Sequence, residues 1–172
     1  MRGLRLLRDG ARYHVSARAN RQEFLLEPRS AKLLFLGVLA EAKKHYRFRV
    51  EDFCIMGNHF HLIIKPALGE SLSMIMKWIL QVFAIRYNRR HGLNGYFWGD
   101  RFFSRIIEGR EEFRRIIEYI HRNPCEAGLC RSPLAWPFCG LWHFLHRRSE
   151  ILGRILPNWL KELYESAILE FS

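Results

Sequence analysis

A chain of 172 residues with 49% hydrophobic and 14% aromatic side chains is one domain's worth of protein, able to build a core without disulfide or metal staples. Its 28 Lys and Arg against 17 Asp and Glu leave +11, which argues against an ordinary small-metabolite enzyme and fits a polyanion, because each neutralised phosphate releases counterions. The basic residues are spread along the chain rather than gathered on one amphipathic helix, so nucleic acid is expected and a membrane surface is not.

In chain order, Asp9-Gly10 turns into a first strand at Tyr13–Arg18, and a helix is predicted over 31–45 with Ser30 as its cap. Two β-prone runs follow, Phe48–Ile55 and His59–Lys65, joined by Met56-Gly57-Asn58. Gly57-Asn58 reads as a two-residue hairpin turn, since both residues tolerate positive φ. Ser71 caps a long helix that stops at Gly92, and a Gly- and aromatic-rich link, Gly95–Asp100, leads to a strand over 102–108. The next helix is expected from Glu111 to Asn123, ended by Pro124. Leu160, Leu163, Tyr164 and Ala167 mark a terminal helix from about Asn158. The order βαββαβα plus a C-terminal helix predicts an α+β, ferredoxin-like antiparallel sheet with helices packed on it. Residues 1–145 form the expected main domain, and 146–172 a helical extension packed on it.

The N-terminal run Met1–Arg8 is too short in apolar stretch for a signal-peptide core, and no segment approaches the ~20 apolar residues that span a bilayer. Cys54, Cys125, Cys130 and Cys139 form neither a CxxC pair nor a zinc-ribbon spacing, so reduced thiols in the cytoplasm are expected.

Two features carry chemistry. His59 and His61, two apart on a strand, point to one face and can chelate a single ion, while Phe60, Leu62 and Ile64 turn to the other. Two imidazoles are an incomplete ligand set that leaves room for water or substrate oxygens, but such a pair is also common on idle strands. In the 111–123 helix, Phe113, Ile116, Ile117 and Ile120 fix the buried stripe. Tyr119 and Asn123, four apart, stack at its edge, as a nucleophile with an oxygen ligand or as a plain boundary tyrosine with a C-terminal cap. Glu111 with Arg115 and Glu118 with Arg122 have helix-supporting i, i+4 spacing. Tyr87 is the rival nucleophile. Its neighbours Arg86, Arg89 and Arg90, with Arg101, Arg105, Arg115 and Arg122 and with Lys77 and Arg114, suggest phosphate contacts. Tyr96, Phe97 and Trp98 either stack on unpaired bases or fill the core.

The run Met56-Gly57-Asn58-His59-Phe60-His61-Leu62-Ile63-Ile64 resembles the His-hydrophobic-His (HUH) motif of the single-tyrosine transposases, most closely their REP-associated branch. Four further stretches agree in order: Tyr13–Arg21, Tyr87–Gly92, Gly99–Ser104 and Tyr119–Leu129. Gly57 stands where that family often has proline, and Cys139-Gly140 where it usually has a Ser pair. The resemblance implies a DNA endonuclease and strand transferase acting on single-stranded or hairpin DNA through a 5′-phosphotyrosine link. By position it makes Tyr119 the nucleophile and His59, His61 and Asn123 the ligands of Mg or Mn, in a monomer or homodimer. From composition alone, a non-catalytic nucleic-acid-binding domain of the same fold is the alternative. A metal-dependent phosphoesterase in which water attacks is a third.

Overall fold

The computed structural model describes residues 7–172, so all but the last two residues of the Met1–Arg8 stretch lie outside the described residues. Four strands, β1 (Tyr13–Arg18), β2 (Phe48–Ile55), β3 (His59–Pro66) and β4 (Phe103–Ile106), form one sheet in the order β2-β3-β1-β4. Every neighbouring pair is antiparallel, so β1 and β2 run parallel with β3 inserted between them, the expected ferredoxin-like arrangement. Helices α1 (Arg29–His45) and α2 (Leu72–His91) cover one face, where Phe35 meets Phe60 and Phe83 at ring separations of 4.6 and 5.5 Å. Helix α3 (Gly109–Glu126) packs on the other face, with short α4 (Gly140–Leu145) and terminal α5 (Asn158–Phe171) beside it.

The register decides which side chains share the α3 face. His61 lies across from Ser16 and Cys54, and Ile63 across from His14 and Asp52, so these residues point to one side. A bulge between Val50 and Asp52 sets this: the extra residue, Glu51, flips the following alternation, so Asp52 and Cys54 turn toward α3. There Asp52 is fully buried, with the Tyr164 hydroxyl of α5 donating to its Oδ1 at 3.0 Å and His121 Nε2 of α3 lying 3.1 Å from its Oδ2. Tyr164 also donates to the Glu51 carbonyl at 2.8 Å. One carboxylate thus ties β2, α3 and α5 together.

Several boundaries differ from expectation. Helix α1 starts at Arg29 with Pro28 in the cap position, so Ser30 lies within the helix and caps nothing; the fixed φ of proline opens the helix instead. Neither Gly57 nor Asn58 takes positive φ. A Cβ at Gly57 would sit 2.8 Å from the exposed Phe24 ring, which would have to shift, and Leu26 donates to the Gly57 carbonyl at 2.9 Å. Strand β4 is shorter than the predicted 102–108 because it pairs with β1 only from Tyr13 to Ser16. Ser71 and Gly92 bound α2 as expected, with Ser71 accepting from Met74 and Gly92 at φ 62°.

Pro124 does not end α3. Its ring is buried inside the helix, which closes a turn later where Gly128 adopts φ 70° and Leu129 donates to the Pro124 carbonyl at 2.8 Å. Asn123 is therefore a helical residue and not the cap. The ion pairs of α3 also differ in partner: Arg114, not Arg115 or Arg122, engages both Glu111 and Glu118.

Candidate active site

Strand alternation brings His59 and His61 to the α3 face with ring centroids 5.0 Å apart. The Tyr119 ring lies 5.4 Å from that of His61, its edge toward the face. Continuation of α3 past Pro124 keeps Asn123 one turn beyond Tyr119, where its side chain is near enough to His59 to favour the protonated imidazole. His59, His61 and Tyr119 line a cleft of about 470 Å³ whose walls include Arg18, Asn20, Arg21, Asp100 and Arg101. Tyr119 is 46% exposed there, open to an incoming phosphate. Arg21 and Gln22 adopt positive φ, 52° and 58°, a strained turn of the kind that gathers at binding sites.

The ring nitrogens are sorted by their partners. His59 Nδ1 meets Asn58 Oδ1 at 2.7 Å, and His61 Nδ1 meets His14 Nε2 at 3.0 Å. His61 Nε2 is buried with no partner among the described residues. A buried nitrogen left in that state costs free energy unless something accepts its lone pair, and a divalent cation does so. The donor set fits a metal of the Mg, Mn or Zn class: two imidazole nitrogens, an amide and an open side toward the cleft. Among the described residues no group of three His, Cys, Asp or Glu converges on one point, so such a site stays coordinatively open.

His14 joins the candidate site, and the sequence alone did not single it out. It sits on β1 one register step from His61, its ring stacked on the His61 ring at 5.1 Å. Were His61 Nε2 to hold a metal, its Nδ1 would carry the hydrogen and donate to His14, which would fix the ring orientation. His14→Ala is expected to fold normally and to lose about 10- to 100-fold in metal affinity, measured from the Mn concentration that raises the melting temperature. Its only sequence signal was a histidine in a strand, and the cross-strand register that gives it meaning was not readable.

Burial holds both candidate ligands neutral. It pushes His59 down to about 4, helped by Arg18 and opposed by the nearby Asn123 side chain, and His61 down to about 3, helped by His14, His59 and Arg18. Depressed values mean that the metal-binding form persists as pH falls past the ordinary imidazole value of about 6.5. Mn binding should therefore survive to about pH 5 and fail only near 4, as followed by the solvent relaxation of Mn. The same shift acts against the metal-free fold. Below about 6.5 the unfolded chain binds protons that the folded chain refuses, so stability falls with pH by about 1.4 kcal/mol per unit from His61. The contribution from half-buried His59 is smaller because solvent screens it.

The arginines divide. Arg101 lines the cleft, joined by Arg18 and Arg21, which composition alone did not single out. Arg86 is held by Glu41 through two hydrogen bonds of 2.6 and 3.0 Å, Arg105 pairs with Glu112, and Arg122 pairs with Glu170. Arg89, Arg90 and Arg115 are exposed. Tyr87 is 5% exposed, packed between Phe83, His91 and Phe97, and burial raises its hydroxyl. It does not line the cleft of His59 and His61.

A family model described as "Transposase IS200 like" matches residues 8–123, two thirds of the chain and all four elements of the candidate site. The chain belongs to the IS200-like transposase family. A Haemophilus influenzae protein assigned as a REP-associated tyrosine transposase is 21% identical over 114 residues, which cover 60% of this chain. The chain spans 65% of the length of that relative. A solved REP-associated tyrosine transposase bound to a REP hairpin superposes with a TM-score of 0.74 at 20% identity, covering 86% of each chain. A protein from Deinococcus radiodurans R1 assigned as a transposase gives 0.50 at 16% identity, covering 72% of this chain and 97% of the other. At these identities the solved structures establish the fold, while family membership rests on the sequence match. No helix among the described residues is long and apolar enough to cross a membrane.

Proposed function

We propose that this family member is a metal-dependent single-stranded DNA endonuclease and strand transferase that uses Tyr119 as nucleophile and acts on hairpin DNA. One observation carries the reading: Tyr119 stands against His61, whose buried Nε2 has no partner, with His59 and Asn123 completing an open donor set. The substrate class comes from the relative that was solved on a REP hairpin and from the +11 charge.

His59, His61 and Asn123 would hold the cation, which when bound polarises the scissile phosphate and stabilises the charge that develops on its oxygens. The Tyr119 oxygen attacks phosphorus from the open side of the cleft and gives up its proton as the P–O bond to Tyr119 forms. The bond from phosphorus to the upstream O3′ breaks, and that oxygen leaves as a 3′-hydroxyl after taking a proton. The product is a 5′-phosphotyrosine ester. Attack by a 3′-hydroxyl on the same phosphorus reverses the step and rejoins strands, with Tyr119 as leaving group. The ester keeps the bond energy, so no nucleotide cofactor is consumed. Arg18, Arg21 and Arg101 are suited to hold the flanking phosphates.

The test is incubation with labelled hairpin oligonucleotides that carry single-stranded flanks, in Mn, followed by a denaturing gel. A protein-linked 5′ product supports the proposal. Cleavage without a linked product means that water attacks, and binding without cleavage means a DNA-binding module.

A further inference from the structure

We propose that the cleft between α2 and the Gly95–Phe102 segment is a second DNA subsite, which takes an unpaired base of the strand whose phosphate reaches Tyr119. The inference rests on the function proposed above and names a part of the substrate that the catalytic cleft does not contact. This second cleft has a volume of about 570 Å³, and Arg101 lines both it and the Tyr119 cleft, so the two adjoin at that side chain. Lys77 lines it as well, and no carboxylate does.

Its floor is rigid. Trp98 donates from Nε1 to the Leu80 carbonyl at 2.9 Å and packs against Phe60, Phe83 and Phe97 at ring separations of 4.7 to 5.5 Å. A bridge between Ala19 and Trp98 ties that floor to the end of β1, beside the His59 and Arg18 pair. Its rim is the reverse: Tyr96 is 90% exposed and Ile85 57% exposed. Apolar surface of that kind, beside a preformed slot, is favourable only when something covers it. The chemistry of the walls selects the occupant. Aromatic and aliphatic faces stack on a base, and the flanking cations meet the phosphates on either side of it, the combination that holds single strands. An apolar peptide would leave Lys77 and Arg101 without anionic partners, and paired bases offer no free face to the slot. The core placement of Phe97, at 2% exposure, leaves Tyr96 and Trp98 as the stacking residues.

The experiment measures affinity for a hairpin with and without a randomised single-stranded flank, on its 5′ or 3′ side, in EDTA so that nothing is cleaved. The flank is expected to strengthen wild-type binding. Tyr96→Ala should remove roughly tenfold of that gain while leaving the flankless hairpin unaffected, and Tyr96→Phe should retain it. Flanks carrying 5-iododeoxyuridine should photocrosslink to Tyr96 or Trp98. An unchanged flank dependence in Tyr96→Ala, or crosslinks confined to other residues, would overturn the subsite while leaving cleavage by Tyr119 intact. Absence of binding to any hairpin would overturn both readings together.

Discussion

Tyr119→Phe is expected to bind hairpin DNA as the wild type does and to form no covalent adduct, with strand cleavage reduced at least about a thousandfold. The substitution removes one oxygen from a side chain that is 46% exposed and on no hydrogen bond that the fold depends on, so the melting temperature should hold. The ring stays against His61, so the proposed phosphate position keeps its shape. What is lost is the nucleophile alone, and a site whose members act as a unit fails with any one of them. Tyr87→Phe is the matched control: Tyr87 packs on α2 and does not line the cleft of His59 and His61, so adduct yield should not change. The measurement is adduct and product on a denaturing gel in Mn. An adduct that persists in Tyr119→Phe would place the nucleophile elsewhere. Cleavage that persists with no adduct in either protein would mean hydrolysis by water.

Elements set by local pattern were legible in the sequence. The alternation of β1 and β3, the Ser71 and Gly92 bounds of α2, and the stripe of Phe113, Ile117 and Ile120 are all encoded within a few residues of where they act. Same-strand and same-helix geometry likewise put His59 beside His61 and Tyr119 above Asn123. What local pattern could not supply was anything decided across the sheet. His14 acquires a role only through the register of β1 on β3, and Asp52 turns to the α3 face only because of a bulge one residue earlier. Pro124 misled for a related reason. Proline disfavours helix in the residue before it, but burial of its ring and the closing turn at Gly128 outweigh that preference, and Asn123 remains helical as a result. His121, two residues from Tyr119, falls on the buried side of α3; its partner there could not be read from spacing.

That partner makes the fold's most vulnerable point. Asp52→Ala is expected to cost about 3 kcal/mol of stability, read from urea midpoints, against less than about 1 kcal/mol for Glu111→Ala. Glu111 pairs with Arg114 on the solvent side of α3, where water replaces a lost partner. Asp52 has no such replacement. It is fully buried, and removing it leaves the Tyr164 hydroxyl without its side-chain partner and His121, 1% exposed, with none. Gly140 shows how closely the surroundings are fitted, because a Cβ there would collide with Asp52 Oδ1 and stand 2.8 Å from the Tyr164 hydroxyl. Gly140, which stands where the family usually has a serine, therefore packs directly against this carboxylate. The consequence reaches the chemistry through α3. His121 anchors the buried side of the helix turn whose outer edge carries Tyr119 and Asn123, so loss of Asp52 loosens the spacing between nucleophile and ligands. Asp52→Asn keeps an acceptor for Tyr164 and should fall between the two, with adduct formation recovering further than stability. A loss below about 1 kcal/mol in Asp52→Ala would mean that packing of Phe113, Ile117 and Ile120 holds α3 unaided.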